Sequence, residues 1–349
     1  VLLCSILLGL AGAIVFGTLP VFVGAGSSGS ASLSTAASRT TTGRGRRFQG
    51  FLVVGEVALT VLLLVSGGLL TRSLIKLLAV DTGFQAENVA TVRVSLPSSA
   101  QDPDAFASFA RDLVRELESD PEIVHASAAG GLPFGAGIIG GDGLTLGGGD
   151  SESADRTFAR RIHVLPGFHE TLGIPVLAGR GIEATDGPEA PPVMVISESF
   201  AQRHWPNRSP VGETVSHWGE PRTVVGIVGD VKLEGLGIDH EPSFYVPLTQ
   251  IPRSEIDLVA RTMGDPGRVL LRMRQAVWTV NGDLPVTRTS TLTSLVADSA
   301  ADERYRTLLM VAFAVVAAIL AAGGVFGVTA RSVARRKREM GLRMALGAQ

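Results

Sequence analysis

The sequence predicts a membrane protein with α-helical spans and a large α+β domain outside the membrane, and three observations carry that expectation. Three runs, Val1 to Val23, Phe51 to Leu70 and Leu308 to Ala330, hold no charge except Glu56. Each has the ~20 apolar residues needed to cross ~30 Å of hydrocarbon. Charge is also segregated. Residues 1–50 and 331–349 hold ten bases against one acid, Glu339, whereas 51–330 hold 21 bases against 32 acids. Because basic flanks stay on the cytoplasmic side, residues of about 71–307 fall outside. Finally, that outer stretch switches repeatedly between helical and strand periodicity.

In chain order, 1–23 is the first predicted span. It has no initiating Met and no basic leader segment, so it reads as the last helix of a preceding membrane unit, and the whole chain as a piece of a longer protein. Cys4, the only cysteine, lies inside it and permits neither an intrachain disulfide nor a cysteine metal cluster. Residues 24–50 begin rich in Gly, Ser, Thr and Ala, carry no acid and end in Arg44, Arg46 and Arg47, which predicts a cytoplasmic linker. The second span, 51–70, contains Glu56. An ionisable group in lipid is a functional candidate by default. Here it lies about two helical turns past Arg47, so snorkelling or a packing hydrogen bond is the favoured reading.

The outer region contains two similar helix starts. Asp102-Pro103 opens a helix with Phe106, Phe109, Ala110, Leu113, Val114 and Leu117 at helical spacing, and Asp265-Pro266 opens another with Val269, Leu270, Met273, Ala276, Val277 and Val280. Asp as N-cap and Pro at the first helical position complement the orphan amides of a helix start. Strand-like runs flank each helix: Val89 to Leu96 and Ile123 to Ala128 around the first, Ile256 to Arg261 and Leu284 to Thr289 around the second. They predict two β-α-β units joined into one α+β domain, with a mostly-β subdomain of about 150–250 inserted between them. Candidate strands of the insert are Val193 to Ile196, Thr223 to Val228 and Phe244 to Val246.

Catalytic and nucleotide motifs are missing from the sequence. No Gly-rich turn runs into G-K-S or G-K-T, so ATP would be bound by a separate subunit and no cofactor is expected in this chain. The Gly130 to Gly149 stretch has ten glycines in twenty residues but no Lys, and it reads as a mobile loop. The six histidines show no H-x-x-H or H-E-x-x-H spacing, and G-x-S-x-G is absent, so an enzyme is not expected. The acidic outer region disfavours nucleic acid.

After the third span, 308–330, the segment 331–349 begins a basic helix with two faces. Met340, Gly341, Met344, Ala345 and Ala348 share one side. Arg336, Glu339 and Arg343 share the other, with Glu339 four residues before Arg343. R-E-M-G-L-R-M-A-L-G-A, Arg338 to Ala348, resembles the segment after a membrane helix in FtsX-like permeases of the MacB type of ABC transporter. Further motifs resemble the periplasmic core domain of the same family. They are V-L-P-G-F-H-E-T-L-G-I-P-V-L-A-G-R from Val164 to Arg180, F-A-Q-R-H-W-P from Phe200 to Pro206 and T-V-V-G-I-V-G-D-V from Thr223 to Val231. G-E-V-A-L-T-V-L-L-L-V from Gly55 to Val65 and V-D-T-G-F from Val80 to Phe84 resemble it too. The extra first span suggests the duplicated, orphan subtype, in which two permease units follow one another.

The resemblance implies an inner-membrane, multi-pass permease with a two-lobed periplasmic domain. It implies an ABC ATPase partner docking on Arg338, Glu339, Met340, Gly341, Arg343, Met344, Ala345, Leu346 and Gly347. A homodimer or paired permease unit and a periplasmic partner protein follow from it as well. Work would be done by mechanical coupling, as in efflux. A scaffold or sensor that binds an envelope protein without an ATPase is the alternative reading.

Overall fold

The computed structural model describes residues 43–97, 102–135, 137, 139–146 and 156–345. The first predicted span, 1–23, and most of the predicted linker lie outside the described residues. The chain divides into two units, Val1–Val57 and Ala58–Gln349. Of the first, the described part is the opening of helix α1, Gly43–Leu78, and α1 continues into the second.

Among the described residues, two helices are long and apolar enough to cross a membrane, at Val53–Leu78 and Ala301–Gly327. At 1.5 Å per residue, each gives roughly 40 Å of helix. The second is the start of α7, Ala301–Ala345. Thr60 Oγ1 donates to the Ala317 carbonyl at 3.2 Å, and a Cβ on Gly67 would meet the Met310 carbonyl and Ala314 Cβ at 3.8 and 3.9 Å. Seven residues separate Thr60 from Gly67, and seven separate Ala317 from Met310 in the reverse direction. The two helices therefore run antiparallel along a seam of small residues, which includes buried Ala314.

The domain between them is built from β1 (Val89–Ser95), α2 (Pro103–Glu118), β2 (Ile123–Ala129), β3 (Ile139–Leu146), β4 (Arg156–Val164), α3 (Phe168–Leu172), β5 (Val176–Gly179) and β6 (Val193–Ser197). These are followed by α4 (Glu198–His204), β7 (Thr214–His217), β8 (Glu220–Val228), β9 (Ser243–Pro247), β10 (Glu255–Thr262), α5 (Leu270–Val280), β11 (Val286–Thr291) and α6 (Leu292–Ser299).

The two predicted β-α-β units are present but interleaved. Strand order is β11-β1-β10-β2 with every neighbour antiparallel, so β10 separates the two strands of the first unit and β1 separates those of the second. This is the split β-α-β arrangement. Asp102 caps α2 as its spacing predicts, its carboxylate accepting from Ala105 N at 3.0 Å. Asp265 instead caps a single 3-10 turn, Pro266–Arg268, before α5 begins at Leu270. Alternate residues of β1 face opposite ways. Ala90, Val92 and Val94 pack under α2 and α5 with Phe106, Leu113, Leu117, Met273 and Val277.

On the other face of this sheet, neighbouring strands align Arg288, Arg93 and Asp257. Asp257 is 1% exposed, Arg93 Nε donates to its Oδ1 at 2.9 Å, and Arg288 Nη2 stands 3.9 Å away. Burial pushes the Asp257 carboxyl up, and the hydrogen bond from Arg93 pulls it back.

The insert is a closed barrel. β4 pairs β3, β3 pairs β7, β7 pairs β8, β8 pairs β6, β6 pairs β9, and β9 returns to β4. Leu144, Ala159, Met194, Ile196, Val215, Val224, Phe244 and Val246 fill it, and Phe200, Ala201 and Trp205 from α4 and its end join this core. The Gly130 to Gly149 stretch, expected to be a mobile loop, contributes β3 to this barrel. Glycines 141 and 143 lie beside the outward-facing Phe158 of β4, which a Cβ at either position would meet at an ordinary contact distance of 3.6 or 3.9 Å. The barrel meets the four-stranded sheet by one strand pair, Ala129 with Val164. A core containing Val89, Ala129, Val259, Ile162, Phe168, Leu172 and Tyr245 runs beneath the join.

Because Phe106 is wholly buried between α2 and the sheet, Phe106→Ala is expected to lose about 3–5 kcal/mol of stability. Phe158→Ala, on the outside of the barrel, should stay within ~0.5 kcal/mol. Denaturant unfolding of the two variants side by side checks the difference.

Candidate functional site

The feature that joins helices to domain is the linker between α1 and β1, residues 79–88, which the surrounding chain grips along its length. Asp81 Oδ1 accepts from Gly83 N at 2.9 Å, an Asx turn that bends the chain as it leaves the helix. Gly83 adopts φ +78°, and a Cβ there would lie 1.8 Å from the Asp230 carbonyl oxygen. Only glycine satisfies both conditions. Lys232 N donates to the Thr82 carbonyl at 3.0 Å. The Asp230 side chain is itself fixed, accepting from Ser199 N and Oγ at 3.0 and 2.7 Å.

Further along, Gln85 N donates to the Leu172 carbonyl at 2.8 Å, and Gly173, at φ +67°, packs against the Gln85 side chain. Arg261 of β10 acts as a staple. Its Nε donates to the Thr171 carbonyl at 2.8 Å, Nη2 to the Gln85 carbonyl at 3.2 Å and Nη1 to the Glu87 carbonyl at 3.4 Å. The linker is therefore bound to both lobes: to the barrel through the segment after β8, and to the split sheet through β10.

Helix α7 reaches the same place. It follows α6, whose Leu292 and Leu295 enter the core that holds Phe84. Thr293 Oγ1 donates to the Ala86 carbonyl at 3.1 Å, and Thr291 caps α6 by accepting from Ser294 N at 3.2 Å. Both candidate spans thus end on one clasp. The clasp touches β1 and β10, the two central strands of the split sheet, and the exit of β8.

The residues singled out by sequence are less concentrated. Arg338, Glu339, Met340, Gly341, Arg343, Met344 and Ala345 occupy the last turns of α7, with Met340 exposed. Leu346 and Gly347 lie outside the described residues. Glu56 is half-buried on α1, within the first unit. Among the described residues no cluster of His, Cys, Asp and Glu could hold a metal. Gly83, Asp230, Gln85 and Arg261 were not assigned roles by sequence reasoning. A signal was nevertheless present. V-D-T-G-F supplies Gly83, T-V-V-G-I-V-G-D-V supplies Asp230, and the run from Val164 to Arg180 supplies Thr171, Leu172 and Gly173. Three motifs far apart in sequence converge on the clasp.

His169, on α3 beneath the clasp, is buried against Tyr245 with ring centroids 4.7 Å apart. Burial pushes its imidazole down to about 4, so it is neutral when the chain is folded.

A family model for the MacB-like periplasmic core domain matches residues 51–276. The periplasmic region of MacB from Actinobacillus actinomycetemcomitans is similar at 15% identity and TM-score 0.42, over 61% of this chain and 92% of that one. The extracellular domain of the noncanonic ABC-type transporter YknZ from Gram-positive bacteria aligns at 16% identity and TM-score 0.36, over 57% of this chain and 100% of that one. A domain of a putative permease protein from Porphyromonas gingivalis aligns at 15% identity and TM-score 0.37, over 59% and 91%. No curated protein matches the chain.

Gly83→Ala is expected to cost about 2–4 kcal/mol, combining left-handed strain with a backbone clash. Hydrogen exchange should show faster opening at 79–88 than at α2. For His169 the folded pKa is depressed, so the unfolded chain binds the extra proton and stability falls as pH drops from about 6.5 to about 4. The loss is at most ~1.4 kcal/mol per pH unit for this one group. His169→Phe should show a shallower fall in Tm between pH 7 and pH 5 than the unaltered protein.

Proposed function

The chain belongs to the MacB-like periplasmic core domain family, its residues 51–276 matching that domain, and on this basis we propose that it works as the membrane subunit of an ABC transporter that transmits motion rather than forming a substrate pore. Membership makes it a MacB/FtsX-like permease with an extracytoplasmic domain, compatible with the inner membrane. The observation that carries the mechanical reading is the clasp: both helices end on one rigidly held linker that touches both lobes.

In this reading a separate ATPase docks on the last turns of α7, at Arg338, Glu339, Met340, Gly341, Arg343, Met344, Ala345 and onward through Leu346 and Gly347. Nucleotide binding draws two such subunits together, either a homodimer or the paired units of the duplicated subtype. The antiparallel seam of Thr60, Gly67, Met310, Ala314 and Ala317 makes the two helices move as one body. At the outer end the clasp converts that movement into a displacement of the split sheet and barrel, which act on a periplasmic partner or cargo, as in efflux. The chain's own residues do no bond chemistry in this scheme. Glu56 serves α1 by polar packing near the cytoplasmic surface.

Co-purification from the native membrane tests the docking step. An ATPase is expected with the unaltered protein and not with the Gly341→Asp, Ala345→Asp double variant, while the Tm of the outer domain stays unchanged. If no ATPase accompanies either protein, the transporter reading gives way to a scaffold or sensor.

A further inference from the structure

At one end of the barrel the interior is not apolar. β4 turns Ala159, Arg161 and His163 to the same side, and Ala159 belongs to the barrel core. Asp142 of β3, His217 of β7 and Arg222 of β8 meet them there. Arg161 and Arg222 are each 3% exposed, His163 is 2% and His217 is 1%. Arg161 Nε stands 2.9 Å from Asp142 Oδ2, and Arg161 Nη1 donates to His217 Nε2 at 3.1 Å. Arg222 Nη1 donates to Gln250 Oε1 at 3.0 Å, and its Nη2 is 3.5 Å from Glu220, whose side chain is largely in solvent. Arg253 lies alongside, since a Cβ on Gly130 would touch both Arg253 Cγ at 3.0 Å and His163 Cβ at 3.3 Å.

Two buried guanidiniums and a third beside them therefore face one half-buried carboxylate, Asp142. Arg222 Nε and His163 Nε2 are buried with no hydrogen-bond partner. A buried surplus of one sign, with donors left over, is costly unless something of opposite charge completes it. The surrounding domain is acidic, so the surplus is local and not part of a general basic surface.

The covering of this cluster is also unusual. Trp218 and Gly219 form the two-residue turn between β7 and β8 with φ +53° and +82°. Both central positions of such a turn need positive φ, and Asn, Asp or Gly normally fills them. A Trp there costs about 1–2 kcal/mol. That conformation places the indole over Arg161, with the guanidinium carbon 4.1 Å from the ring centroid, and stacks it on His217 at 4.6 Å. The ring itself stays 66% exposed. It is an aromatic cover on a buried cationic cluster, held by a strained hairpin that has solvent on its other side.

We propose that this end of the barrel is a binding site for a small oxyanion of the phosphate class. The anion enters as the Trp218 hairpin lifts, accepts from the Arg222 and Arg161 guanidiniums and from His163, and leaves the cluster charge-balanced. The geometry suits an oxyanion because planar guanidinium forks match its paired oxygens. The ligand is either free phosphate or the phosphate of an envelope lipid headgroup. Strand β8 runs from this cluster at Glu220 to Val228 beside the clasp, roughly 26 Å at ~3.3 Å per residue, which favours the soluble source.

The test uses the full chain in nanodiscs and reads both Tm and tryptophan emission during titration with inorganic phosphate, against sodium chloride at matched ionic strength. Expected is a saturable emission change with a rise in Tm. Trp218→Phe should abolish the emission change and keep the Tm rise, and Arg222→Gln should weaken binding about tenfold or more, the scale of one lost charge-assisted contact. His163→Gln stands in should Arg222→Gln fail to fold, and the same weakening is expected. A response that appears only when phosphatidylglycerol replaces phosphatidylcholine in the nanodisc keeps the site and assigns the oxyanion to a headgroup. An equal response to chloride, or an unchanged one in Arg222→Gln and His163→Gln, overturns the proposal.

Discussion

The close approach of Gly83 to the Asp230 carbonyl is the constraint on which the joining of helices to domain depends. At that point the chain leaving α1 and the chain leaving β8 lie backbone against backbone, with no room for a side chain. Hydrogen bonds on either side, from Lys232 N to Thr82 and from Gln85 N to Leu172, turn that contact into a short clasp. Thr82, Gly83, Gln85 and Glu87 of this linker are each held by a hydrogen bond.

The domain is braced in three physical ways. In the split sheet each β-α-β unit has its strands separated by a strand of the other, so neither unit can move without breaking the ladder of its partner. The aligned Arg288, Arg93 and Asp257 add a buried ionic tie across three neighbouring strands, and parting a buried pair strands a charge in low dielectric. The barrel has no free edge around its ring, which removes the sheet's usual means of shearing open. Where the lobes meet, one strand pair and a shared apolar core suffice because Arg261 crosses the join with donors to three carbonyls.

Much of this was legible in the chain. Period-two and period-3.6 patterns located β1, α2, β2, β10 and β11 to within a few residues, and the Asp102-Pro103 start capped α2 as such pairs do. Two apolar helices stand where composition put the second and third spans. Three features were not legible. Strand pairing order in the split sheet is set by contacts between residues more than a hundred positions apart, which local periodicity does not encode. β3 was hidden because its glycines erase the apolar alternation that marks a strand. The end of the insert marked by Arg161, His163, His217 and Arg222 looked like scattered charge, since each falls on a different strand or two residues apart on one.

By itself, then, the sequence marked the two apolar helices long enough to cross a membrane, the acidic region between them, and the family, because these rest on local composition and contiguous motifs. Tertiary structure alone decided that V-D-T-G-F, G-D-V and the turn around Gly173 form one clasp, and that arginines from β4 and β8 share one barrel interior. The reason is physical: close backbone approach and burial of charge are properties of surfaces brought together by folding, and each partner carries only half of the contact in its own sequence.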